Sequence, residues 1–150
     1  MIEKSTTEDL ELYEMTLGRK LGFGIHRDVY VFAPDQTKVI KIATNDDGRK
    51  MNLLEDKICD EINSYAEKWQ RDSLAHVYKC SSCGKYLLQE RTEQLPKDKY
   101  PEKIYSFLAS DTKYDNFGYI KGRGTVCIDY GCVDILKLQS KRKVKANWWS

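Results

Sequence analysis

No apolar run in this 150-residue chain approaches the roughly 18 residues that a membrane-spanning helix needs. The opening Met1-Ile2-Glu3-Lys4 carries no signal-peptide pattern. Five cysteines is an odd number, so a complete disulfide framework is excluded. Together these features predict a reduced, cytoplasmic setting and no membrane. Acid is missing from one stretch. After Asp134 no Asp or Glu occurs, while Lys137, Lys141, Arg142, Lys143 and Lys145 crowd together. The net charge of +2 therefore says little about partners, and its distribution says more. There is no internal repeat, and no Gly-Lys-Ser or Gly-Lys-Thr that could form a Walker loop. What is present suffices for a core: the chain is 41% apolar, and three Trp, ten Tyr and four Phe argue against disorder. The length fits one domain, or two small lobes sharing a core.

Residues 1–15 read as an acidic, polar tail leading into an edge element. Residues 17–21 and 29–32 are strand-like and flank a loop with two glycines. Pro34-Asp35 turns the chain, and residues 38–42 make a third strand. Over residues 49–70, Leu54, Ile58, Glu61, Ile62, Tyr65, Ala66 and Trp69 recur at three- and four-residue steps, which predicts one helix. Residues 77–79 and 86–89 predict a hairpin closed by Ser81-Ser82-Cys83-Gly84. Pro96 and Pro101 punctuate a charged linker, and Pro101 suits the first position of a short helix through Leu108. Residues 117–120 and 125–128 predict a second hairpin around Lys121-Gly122-Arg123-Gly124. Strands and helices are segregated along the chain, so the class is α+β.

The first candidate chemistry lies in Leu21-Gly22-Phe23-Gly24-Ile25-His26-Arg27-Asp28-Val29-Tyr30. Two glycines between strands let backbone N–H groups approach phosphate oxygens with no Cβ in the way, although a plain hairpin with flexible glycines reads the same. Lys41 follows on the third strand among Val39, Ile40 and Ile42, where a lysine commonly points to solvent. Glu61, twenty residues on, lies on the apolar stripe of the helix, and a buried carboxylate needs a partner. Lys41 is its natural candidate.

A more specific signal lies in Asp111-Thr112-Lys113-Tyr114-Asp115-Asn116, followed thirteen residues after Asn116 by Asp129-Tyr130-Gly131. This pair resembles the catalytic loop and the Asp-Phe-Gly metal motif of protein kinases, with Tyr in place of Phe. With the glycine loop, Lys41 and Glu61 in the same order, the resemblance spans residues 17–131. It implies a five-stranded antiparallel N-lobe sheet with one long helix over residues 1–91, and a strongly truncated C-lobe over residues 92–150. It further implies that Gly22 and Gly24 cover the phosphates of ATP, with Val29 in the nucleotide-binding set. Lys41, held by Glu61, would hold the α- and β-phosphates. Asp111 would accept the proton of the attacking hydroxyl, Lys113 would neutralise the transferred phosphoryl, and Asn116 and Asp129 would hold Mg²⁺ or Mn²⁺. The Glu90 carbonyl and Thr92 N–H would face the adenine.

Departures from the family pattern accompany these matches. Arg27 stands where a third glycine is usual, and Ala109-Ser110 replaces the His-Arg before the catalytic Asp. The span from Thr92 to Asp111 is short, and no Ala-Pro-Glu follows Gly131. Phage-encoded kinases and small bacterial effector kinases are similarly reduced, which predicts phosphoryl transfer to a Ser, Thr or Tyr hydroxyl of a host protein in the bacterial cytoplasm. The alternative is a pseudokinase that inhibits or scaffolds a partner. Cys80-Ser81-Ser82-Cys83-Gly84 reads as a hairpin turn, with half a zinc knuckle or a redox pair as the alternative. His26 reads as a solvated side chain. The basic tail, residues 137–145, is either solvated or meets nucleic acid or an acidic partner. Trp148 and Trp149 pack back onto the domain or onto a neighbour. Tyr105, Phe107, Leu108, Val133, Ile135, Leu136, Trp148 and Trp149 form a candidate apolar patch for a homodimer or a host partner.

Overall fold

The computed structural model describes residues 15–130 and 133–149, so the expected N-terminal tail and Gly131 of the Asp-Tyr-Gly motif lie outside the described residues. The architecture is α+β. The chain forms two compact units, one comprising residues up to Glu61 with His76–Arg91, the other Ile62–Ala75 with Thr92 onward. The chain passes from one unit to the other at Arg91/Thr92, and the segment 62–75 groups with the second unit.

The first unit is a five-stranded antiparallel sheet in the order β1-β2-β3-β5-β4, with β1 Leu17–Phe23, β2 Arg27–Phe32, β3 Lys38–Ala43, β4 Val77–Cys80 and β5 Tyr86–Glu90. β3 and β5 carry β-branched and large apolar residues, and Ile40 and Leu87 are fully buried there. Gly84 turns the β4–β5 hairpin at φ +77°, where a side chain would be strained and a Cβ would sit 2.5 Å from the Arg49 carbonyl oxygen. Helix α1, Asp46–Tyr65, starts on Asn45, whose side-chain oxygen accepts the Gly48 N–H at 2.9 Å, and has Asp46 and Asp47 in its first turn.

The expected single helix over 49–70 is broken after Tyr65. A second helix, α2, Lys68–Arg71, begins at a capping box in which Glu67 N–H donates to Gln70 Oε1 at 2.6 Å. Gln70 is fully buried, and its amide donates to the Leu138 carbonyl at 2.7 Å. A buried polar side chain with a distant partner outweighs the helical period at this point.

The second unit holds two ribbons: β6 Lys103–Tyr105 with β9 Lys143–Lys145, and β7 Phe117–Ile120 with β8 Gly124–Cys127. The helix expected from Pro101 is instead strand β6 followed by a 3-10 turn at Ser106–Leu108. Residues 143–145 pair with β6 from about forty positions along the chain, a partner no local pattern reveals. Phe117, Phe107, Leu74 and Val126 form its buried core. Among the described residues, no helix is long and apolar enough to cross a membrane.

The expected bare patch is covered in part. Phe107 and Leu108 are buried, and Trp148 packs edge-on against Phe117 at 4.9 Å and tilted over Tyr100 at 5.2 Å. Ile135, Leu136 and Trp149 remain exposed. The basic tail is correspondingly not a free tail: Lys141 sits 5.6 Å from the Trp69 ring, and Lys143 sits 5.1 Å from the Tyr105 ring.

Candidate functional site

In the first unit, strand register gathers the glycine-loop and lysine residues. Gly22 faces Val29 across β1–β2, and Val29 faces Lys41 across β2–β3. Residues paired directly across strands share a sheet face, so these three expected nucleotide-binding residues lie in one row. Nothing comes within 4 Å of a Cβ built on Gly22, and neither Gly22 nor Gly24 has positive φ. Glycine at these positions contributes bare backbone, not a special turn.

The far side of the loop is tied to the start of α1. The His26 carbonyl accepts Thr44 N–H at 2.8 Å, and the Ile25 carbonyl accepts the Asn45 amide at 3.2 Å. A Cβ on Gly48 would lie 2.2 Å from the His26 carbonyl oxygen, so this close approach requires glycine there. His26, expected to be solvated, is half-buried with its Nδ1 within 3.2 Å of the Asn45 side chain.

Lys41 lies on the central strand and is only 6% exposed. Its expected partner, Glu61, is exposed. Glu55 takes that place: Oε1 accepts from Lys41 Nζ at 2.9 Å, and Oε2 accepts from Arg27 Nη1 at 2.6 Å. Asn52, fully buried, accepts from Arg27 at 3.0 Å and donates to the Gly84 carbonyl at 2.9 Å.

Helical geometry explains the correction. Asn52, Glu55, Cys59 and Ile62 follow three- and four-residue steps and are all buried. Glu61 stands nine positions from Asn52, which at about 100° per residue is the opposite side of the helix. Sequence distance from Lys41 and neighbouring Ile58 and Ile62 point to Glu61. The signal for Glu55 was its place three residues before Ile58, with Arg27 as a second buried cation. Arg27 in the third-glycine position is thereby accounted for. Glu55 thus holds two buried cations, one from β2 and one from β3.

At the end of β5, Glu90 donates its N–H to the His76 carbonyl at 2.8 Å and accepts the His76 N–H on its carboxylate at 3.1 Å. Thr92 follows where the chain enters the second unit, and Gly118 lies so close to it that a Cβ there would stand 2.1 Å from Thr92 Oγ1.

In the second unit, Asp111 Oδ1 accepts the Lys113 N–H at 3.1 Å, shaping the turn that leads into the 3-10 segment Tyr114–Asn116. Phe117 and Cys127 face each other at the open end of the β7–β8 ribbon. The residues flanking that pair must therefore meet: Ile128 N–H and Asp129 N–H both point to the Asn116 carbonyl, at 2.8 and 3.4 Å. The thirteen-residue spacing is the length of this hairpin and its turn. Gly122 and Gly124, both at positive φ, close the turn. Asp111, Lys113, Asn116 and Asp129 are all half-buried.

Tyr130 is fully buried and donates its hydroxyl to the Ala75 carbonyl, while Ala75 N–H donates to the Cys127 carbonyl at 2.9 Å. These bonds fix the strand end that carries Asp129. Asn116 and Asp129 offer hard oxygen donors on adjoining backbone. That suits an ion such as Mg²⁺, which keeps several of its waters. Lys113 Nζ is 5.7 Å from the Trp149 ring, and Tyr114 N–H donates to the Trp149 carbonyl at 2.6 Å.

No protein-family model matches the chain, and no curated protein matches it.

The Cys80–Cys83 segment is a hairpin turn with neither cysteine in a disulfide, and burial pushes the Cys80 thiol up to about 12, helped by Asp56, Cys83 and Glu55. Among the described residues no group of three or more His, Cys, Asp or Glu could hold a metal. Cys127 is disulfide-bonded.

Proposed function

We propose that the chain is a protein-kinase-like phosphotransferase that uses ATP with Mg²⁺ or Mn²⁺ to phosphorylate a Ser, Thr or Tyr hydroxyl of another protein. The observation that carries this reading is the buried Lys41 on the central sheet strand, held at 2.9 Å by a carboxylate from the following helix. A cation kept in place by burial and one carboxylate can meet phosphate oxygens without losing its position. The meeting of Asn116 and Asp129 on adjoining backbone supports it independently.

In this reading the backbone of Gly22 and Gly24 covers the phosphates, with Val29 against the nucleotide and Lys41 on the α- and β-phosphates. The Glu90 carbonyl and Thr92 N–H take the adenine edge. Asn116 and Asp129 hold the metal, which supplies charge neutralisation at the phosphate oxygens when bound. Asp111 takes the proton of the acceptor hydroxyl as its oxygen bonds to the γ-phosphorus. The bond from that phosphorus to the bridging oxygen breaks, and ADP leaves with the electron pair. Lys113 neutralises the transferring group.

One observation favours a second reading, a nucleotide-binding module without transfer: Lys113 is already engaged over Trp149. Incubation with labelled ATP, Mg²⁺ and candidate acceptor proteins separates the two. Transfer is expected from the wild type and lost in Asp111→Asn, which retains nucleotide affinity because this residue serves the acceptor. Equal transfer by both proteins sinks the assignment of Asp111, and binding without any transfer leaves the second reading.

A further inference from the structure

A cavity of about 500 Å³ opens within the second unit, and neither Asp111, Lys113, Asn116 nor Asp129 lines it. Its floor is apolar, since Ile104, Leu108 and Phe117 are all buried. Its wall is aromatic, with Trp69 and Tyr105 centroids 4.7 Å apart. Its rim is basic. Lys99, Lys103, Arg123 and Lys143 line it against one carboxylate, Asp72, which Lys68 contacts at 2.5 Å. Arg123 is fixed there by donating to the carbonyls of Asp72 and Leu74.

This rim is not a neutral arrangement for the fold. The β6–β9 register sets Lys103 directly opposite Lys145 and Tyr105 opposite Lys143. Alternate residues share a face, so three lysines crowd one side of a short ribbon. Like charges in facing positions destabilise a strand pair. The tail cannot answer them itself, because no acid follows Asp134. An anionic ligand would answer this charge.

We propose that this groove binds an acidic polypeptide segment of another protein, with carboxylates along the lysine rim and an apolar side chain on the floor of Ile104, Leu108 and Phe117. A cavity of this size falls in the range of binding sites, roughly 300–1,000 Å³. A phosphate cradle would gather backbone N–H groups at a nest or a helix N-terminus. Here the cations are side chains from four stretches of chain spread around an apolar floor, which suits spaced carboxylates about an apolar anchor. The proposal does not depend on the nucleotide reading.

The test is fluorescence anisotropy of a labelled short peptide, glutamates flanking a central leucine, titrated with the full chain in the absence of nucleotide. Saturable binding is expected, weakening as salt rises. It should weaken by roughly tenfold in Lys103→Glu/Lys143→Glu, while Lys57→Glu, exposed on α1, binds as wild type. Should the double variant melt early, Lys99→Glu, outside both strands, is expected to weaken binding in the same direction. Equal binding of a glutamine-for-glutamate peptide overturns the proposal, as does indifference to rim charge reversal in a folded variant. Displacement of the peptide by millimolar inorganic phosphate, or by a single-stranded oligonucleotide at lower concentration than unlabelled peptide, assigns the groove to anions of another kind and equally overturns it.

Discussion

Glu55 is the residue on which the buried chemistry of the first unit turns, because two cations share its single carboxylate. Glu55→Gln leaves Arg27 and Lys41 converging on a neutral amide inside the protein. Removing one partner of a buried ion pair costs about 3–5 kcal/mol. The loss is expected in the urea midpoint of unfolding, whereas exposed Glu61→Gln should stay within about 0.5 kcal/mol of wild type. Comparable effects of the two substitutions would remove Glu55 from its role. Cys80 gives a pH-dependent counterpart. Its folded value of about 12 lies above the ordinary 9.0, so the neutral thiol's contribution to stability is whole below about pH 9 and is lost as pH rises toward 12. Its thiolate is correspondingly scarce at neutral pH. Iodoacetamide followed by mass spectrometry is expected to label Cys80 far more slowly in the native protein than in urea at pH 7.5, and equal rates would contradict the burial.

The β7–β8 hairpin shows how an element rather than a residue brings two positions together. Its register leaves Asn116 and Asp129 as the flanking positions of one closing pair, so their meeting needs only the hairpin to form. The tail element acts differently. β9 and Trp148 cover what β6 and Phe117 would otherwise expose, and Trp148 also donates its indole N–H to the Pro101 carbonyl at 2.9 Å. Trp148→Ala is therefore expected to lower the melting temperature and weaken near-ultraviolet circular dichroism. The cost should fall below the about 3–5 kcal/mol of a fully buried aromatic, because Trp148 is half-exposed. An unchanged melt would mean that the tail does not pack on this unit in solution.

At the scale of the molecule, the proposed reaction demands that the folded chain bind Mg-ATP. Ligand linkage makes that demand measurable. Mg-ATP at a hundred times its Kd stabilises the folded state by about 2.7 kcal/mol. The wild type is expected to show the corresponding rise in melting temperature with Mg²⁺ and much less with EDTA. Lys41→Met, from the first unit, and Asp129→Ala, from the second, should each reduce the shift, the latter by removing its metal dependence. A shift untouched by Asp129→Ala would confine nucleotide binding to the first unit.

Much of the first unit was legible from local chemistry alone. The β-branched residues Val39, Ile40 and Ile42 and the Ser81–Gly84 turn specify β-structure without reference to distant residues, because strand propensity and turn conformation are local properties. The spacing of Asn116 and Asp129 was legible too, since a hairpin between them is a local event. Tertiary structure alone decided the rest. Glu55 rather than Glu61 meets Lys41 because the helix can bury only one stripe, and the sheet chooses which. Gln70 ends a helical pattern because its buried amide finds Leu138 far along the chain. Residues 103–105 become a strand because residues 143–145 pair with them, a contact whose energy appears only once the chain has closed the loop between them.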